Sequence, residues 1–149
     1  MSTKQFVTFR IDRHLLGLDV LGVREINRVV DMTPVPRAPD HVRGLVNLRG
    51  QILTVFDLGT RLGLGARRIG RSTHNVILKS DAVGLLVDAI GEVIQADLED
   101  IETPPANVGG IEGEFIDGVV KLEKELLVIL SADKLLNHRA SRSTDVAGL

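Results

Sequence analysis

The chain has 149 residues, a formal net charge of −2, no Cys, and only 3% aromatic residues. That length allows one domain, or two very small ones sharing a core, and the lack of cysteine removes disulfides, thiolate metal sites and thiol nucleophiles together. Neither a basic excess nor aromatic stacking platforms are present, which argues against a nucleic-acid-binding barrel. Met1-Ser2-Thr3-Lys4 leads straight into strand-like sequence without an apolar signal segment. No run approaches the roughly 18 apolar residues of a bilayer span, so a soluble, cytoplasmic protein with no membrane insertion is expected.

The apolar runs are short, rich in Val, Ile and Leu, and bounded by Gly, Asp or Pro, a pattern of strands. In chain order they predict strands over Gln5–Ile11, Leu15–Val20, Glu25–Val30, Leu45–Asn47 and Gln51–Asp57. A second set covers Asn75–Lys79, Ala82–Val87, Gly91–Gln95, Phe115–Leu122 and Glu125–Leu130. Short helices are predicted over Leu58–Leu62 and over Ser131–His138, the latter with a Ser-Ala-Asp capping sequence. Residues 141–149 lose the pattern and are expected to form a flexible tail.

The two sets resemble copies. Gly17-Leu18-Asp19-Val20 aligns with Gly84-Leu85-Leu86-Val87, and Val23-Arg24-Glu25-Ile26 with Ile90-Gly91-Glu92-Val93, at a spacing of 67. Gly44-Leu45-Val46 and Leu48 align with Gly118-Val119-Val120 and Leu122 at a spacing of 74, which continues through Phe56 onto Leu130. The extra residues fall in the Pro/Gly loop Thr103–Gly113. Such a duplication predicts a mainly β fold of two small five-stranded barrels sharing a core, since either alone is marginal in size. The approximate subdomains are 14–66 and 70–130, with the N-terminal strand and C-terminal helix assigned to neither, within a single domain over 1–149.

In "VRGLVNLRGQILTVFDL", Val42 to Leu58, a charged tip interrupts two strand-like runs. Arg49 has two readings there: a residue that keeps the turn soluble or pairs with Asp57 or Glu25, or a guanidinium presented to a charged partner. At the aligned spacing it maps to Glu123, so the tip reverses charge while its apolar flanks are kept. Glu25, in "VREI", reads equally as a solvent-facing residue of an edge strand. "TPVPRAP", Thr33 to Pro39, is a rigid connector more readily than a polyproline ligand. The four His have no metal-ligand spacing, and "GLGARRIG", Gly63 to Gly70, lacks the Lys-Ser/Thr of a phosphate loop, so its arginines read as decoration of the connector. No Gly-x-Ser-x-Gly elbow marks a nucleophile. No catalytic residue, metal site or cofactor is expected.

At "VLGVREI" and "VPRAPDHVRGLVNLRGQILTVFDL" the chain resembles the CheW family of bacterial chemotaxis adaptors, over roughly Gln5 to Leu136, with Asn47-Leu48-Arg49-Gly50 as the most specific motif. The resemblance implies two five-stranded barrels and a non-catalytic coupler joining the cytoplasmic tips of methyl-accepting chemoreceptors to the regulatory domain of the histidine kinase CheA. It implies recruitment to membrane-associated arrays, with Glu25 and Arg49 as charged partner-binding residues and Val23 and Ile52 as apolar neighbours. Leu16 stands where the family often has an aromatic, and Arg24 where Gln is frequent, a position at which receptor preference would change. The competing reading is a double barrel binding a small molecule or nucleic acid, which predicts ligand-dependent melting or steeply salt-dependent binding.

Overall fold

The computed structural model describes residues 2–28 and 31–137, and β-strands dominate them. In chain order the strands are β1 (Thr3–Ile11), β2 (His14–Asp19), β3 (Val23–Arg28), β4 (Val42–Leu48) and β5 (Gln51–Asp57). After a short helix α1 (Leu58–Arg61) come β6 (His74–Leu78), β7 (Val83–Val87), β8 (Ala89–Ile90) and β9 (Ile94–Asp97). The hairpin β10 (Asn107–Val108) and β11 (Ile111–Glu112) precedes β12 (Ile116–Lys121) and β13 (Leu126–Leu130). A helix over 132–137 follows, its entry fixed by Ser131, whose Oγ accepts from the Lys134 N–H at 3.2 Å. The predicted end of that helix at His138, the end of the third predicted strand at Val29 and Val30, and the predicted tail lie outside the described residues.

A five-stranded sheet runs β3-β6-β7-β5-β4, and a six-stranded one β12-β13-β2-β1-β8, with β9 also on β1. The order of one repeats that of the other. Val55 lies beside Gly84 in the parallel β5–β7 pair, and Ile129 lies beside Gly17 in the parallel β13–β2 pair, the residues matched at spacings of 74 and 67. Bulges also recur, at Val42/Gly44 in β4 and at Ile116/Gly118 in β12. The sheets do not follow the approximate ranges 14–66 and 70–130. His14–Asp19 pairs with β13 of the second copy, and His74–Val87 completes the sheet of the first.

The expected closed barrels are not formed. In the five-stranded sheet β3 and β4 are the edges, and among the described residues β4 is met by Thr33, which exchanges backbone hydrogen bonds of 2.9 and 2.8 Å with Leu45. Glu102 meets β12 in the same way through Val119, at 2.8 and 3.0 Å. The predicted strand over Gly91–Gln95 is instead broken between β8 and β9. Gly91 donates its N–H to the Thr8 carbonyl, and a Cβ there would sit 2.6 Å from Thr8 Oγ1, so the chain bends where only glycine fits. The sequence pattern also missed the β10–β11 hairpin, whose strands are too short to alternate.

The main core lies between the sheets. Val7, Phe9, Ile11, Leu16 and Leu18 of the six-stranded sheet meet Val76, Leu78, Leu85 and Val87 of the five-stranded one, with Leu58, Leu62, Phe115 and Leu135 joining them. Phe6 and Leu127 pack on the opposite face of the six-stranded sheet, so its central strands are buried on both sides. That explains their near-continuous apolar runs. Leu16, without the family's aromatic, is fully buried in the shared core.

Candidate functional site

The β4–β5 turn is two residues long, Arg49 and Gly50, with φ of +50° and +88°. Positive φ at both positions matches the twist of the flanking strands. Gly adopts it freely, whereas an L-residue such as Arg49 incurs about 1 kcal/mol. Asn47 supports the turn by accepting the Gly50 N–H on Oδ1 at 2.9 Å. The Arg49 side chain is 63% exposed and one guanidinium nitrogen donates to Glu25 Oε2. The other N–H donors of its fork have no partner among the described residues.

Glu25 sits on β3 and Arg49 just beyond β4, so the ion pair spans two edges that no ladder joins. Arg24 adds a second link by donating to Gln51 Oε1, and its Nε lies 3.6 Å from Glu25 Oε2. Asn27 Nδ2 donates to Glu25 Oε1 at 3.2 Å. Partial burial acts to raise the Glu25 carboxyl, but hydrogen bonds from Arg49 and Asn27 and the charges of Arg49 and Arg24 outweigh it, so its pKa falls below the ordinary value.

Of the four residues singled out from sequence, Glu25 and Arg49 are thus brought into contact. Ile52 lies one residue into β5, 53% exposed. Val23 is half-buried and packs against the shared core. Sequence reasoning missed Leu21, which at 74% is the most exposed large apolar residue among those described. Its place in a short 3₁₀ turn, Val20–Gly22, breaks the strand alternation that would have flagged it.

A second polar constellation is structural. Arg67 of "GLGARRIG" does not decorate the connector; its side chain is 8% exposed and donates to Asp88 Oδ2 at 2.8 Å and Asp12 Oδ1 at 3.1 Å. Its backbone N–H donates to Asp57 Oδ2, which also accepts from Arg43, while Asp57 Oδ1 caps α1 through the Thr60 N–H. Asp57 therefore pairs with Arg43, not with Arg49. The cluster pins the connector to the β1–β2 turn and to the β7–β8 junction. Beside the C-terminal helix, a cleft of about 200 Å³ carries Asp19, Asp117 and Asp133. Burial raises the Asp117 carboxyl, Lys4 opposes this, and Asp133 adds to it. Among the described residues no His, Asp and Glu cluster could hold a metal ion, and no helix is long and apolar enough to cross a membrane.

The fold is thus a pair of open β-sheets sharing one core, with charged and apolar side chains exposed near strand ends. The family model for the CheW-like domain matches residues 5–140. The chain is 35% identical to the chemotaxis protein CheW of Treponema pallidum, over 91% of this chain and 83% of that protein. It is 31% identical to protein FrzA of Myxococcus xanthus, over 94% and 89%. The crystal structure of the scaffolding protein TtCheW from Thermoanaerobacter tengcongensis superposes with a TM-score of 0.82 at 34% identity, covering 91% of this chain and 88% of that one. The chain belongs to the CheW-like family. Its role is that of a chemotaxis coupling adaptor.

Proposed function

We infer that this adaptor joins the regulatory domain of a CheA-type histidine kinase to the cytoplasmic tips of methyl-accepting chemoreceptors, without catalysing a reaction itself. It works in the cytoplasm and is drawn to membrane-associated arrays by its partners. Two surfaces hold two proteins at a set separation, and array assembly multiplies individually weak contacts. Glu25 and Arg49 form the charged part of a partner surface, with Ile52 and Val23 as its apolar neighbours. The observation that carries this reading is the Arg49 side chain, held on a strained turn by one hydrogen bond with its remaining donors facing solvent. The tight turn sets the positive φ, and the same turn carries the Arg49 side chain out into solvent. Charges so placed govern register and rejection of wrong partners more than raw affinity.

Co-sedimentation of kinase with receptor-bearing membranes tests it. Arg49→Glu is expected to reduce the kinase carried down at least fivefold while lowering Tm by no more than a few degrees. Unchanged co-sedimentation would remove Arg49 from the partner surface.

A further inference from the structure

The five-stranded sheet is hollow where its counterpart is filled. In the six-stranded sheet Phe6 and Ile94 are cross-strand partners and pack with Ala96, Val120, Leu127 and Ile129. At the equivalent step of the five-stranded sheet the partners are Asn75 and Asn27. The equivalence follows from the shared register: Gly84 lies opposite Ile77 two residues beyond Asn75, as Gly17 lies opposite Thr8 two residues beyond Phe6. Two amides therefore stand where a phenyl and a branched aliphatic fill the sister sheet.

They leave a cavity of about 270 Å³, walled by Val46, Leu53, Val55 and Ile77 and floored by Gly84. Gly84 has open space above it, since a Cβ there would touch Ile77 and Asn75 only at 3.6 and 3.7 Å. At Gly17 the same atom would meet Leu127 at 3.2 Å. Asn75 is 4% exposed and its Oδ1 has no hydrogen-bond partner among the described residues. A buried acceptor left unpaired is unfavourable, and such groups in folded proteins are few. Asn27, on the opposite wall, holds Glu25 and so connects the cavity to the Arg49 tip.

We propose that this cavity is a binding site for a small neutral molecule with an apolar body the size of an aromatic ring and one O–H or N–H group, which donates to Asn75 Oδ1. An apolar cavity of roughly 150 Å³ already accepts benzene, so the volume suffices. The aliphatic walls favour an uncharged body, and Arg28, the one charged residue on the lining among the described residues, is engaged by the Arg71 carbonyl at 2.7 Å. The site adjoins the Arg49 tip through Asn27 and Asn47, but the inference does not rest on the adaptor role.

Phenol and toluene, alike in size but differing in the donor, are the probes, titrated into the full chain while backbone amide NMR signals are followed. Phenol is expected to give saturable shifts at Asn27, Val46, Asn75 and Gly84, and to bind about fivefold more tightly than toluene. Asn75→Leu should erase that preference. Gly84→Ala, which fits the available space, should weaken both probes at least tenfold, each variant's own spectrum reporting that it is folded. Shifts that do not saturate, equal binding of the two probes, or wild-type binding by both variants would overturn the proposal. So would shifts at these residues on adding the kinase regulatory domain but not phenol, which would assign the hollow to a partner's side chain.

Discussion

Away from the shared core, the six-stranded sheet stacks Phe6 on Ile94, while the five-stranded sheet at the same step sets Asn75 beside Asn27. The tips differ as well. The β12–β13 tip, where Glu123 takes the place of Arg49, has no positive φ and is tied down by Glu125, which accepts two 2.9 Å hydrogen bonds from Arg10. The β4–β5 tip holds Arg49 strained and mostly exposed on a single bond to Glu25. One backbone plan thus carries two interiors, one filled by apolar side chains and one lined by two amides. The shared core makes this tolerable, because neither sheet has to be stable alone.

Moving residues between the sheets breaks the comparison most directly. Phe6→Asn, which copies the hollow interior into the filled sheet, is expected to cost about 4 kcal/mol, from lost burial and an unpaired amide, read by urea denaturation. A loss below about 1 kcal/mol would show that the filled interior carries no special share of stability. Removing the tie between connector and sheets comes next. Arg67→Met leaves Asp88 and Asp12 without their cation and should cost about 2–3 kcal/mol, lowering Tm by about 6–10 °C. The reverse exchange is gentler: Asn75→Leu removes the orphan carbonyl, fills space, and should raise stability by about 1 kcal/mol.

The smallest effect belongs to the clasp. Because the Glu25 pKa is depressed in the folded state, the stability it contributes is present above the ordinary glutamate value of about 4.3 and is lost as pH falls through its lower folded value. The stability difference between wild type and Arg49→Gln should therefore be small and constant above about pH 5, and shrink on acidification below that. A difference that grows toward low pH would contradict the pairing.

Much of this was legible in the sequence, because period-2 burial and the matched glycines are local signals. The strand runs, the cap at Ser131 and the repeat at spacings of 67 and 74 all reappear in the register of the sheets. Pairing of Arg49 with Glu25 was one of two partners open to it. What local pattern did not carry was which strand lies next to which: that β1 and β2 leave the strands following them to join the second copy needs hydrogen bonds between distant segments. The match of Phe6 with Asn75 follows only from that exchange, so the hollow was invisible. Arg67 was misread because an Arg between glycines in a connector looks solvated until Asp12 and Asp88 are brought to it.

The central claim is that Arg49 is aimed at a partner and not merely at Glu25, and a charge swap separates the two. Glu25→Arg and Arg49→Glu are combined in one chain, and kinase co-sedimentation with receptor membranes is measured beside the melting temperature. The account predicts that the double variant recovers the wild-type Tm while co-sedimentation stays at the level of Arg49→Glu alone. Recovery of co-sedimentation to the wild-type level would show that the pair serves only to hold the two sheet edges together, and would contradict it.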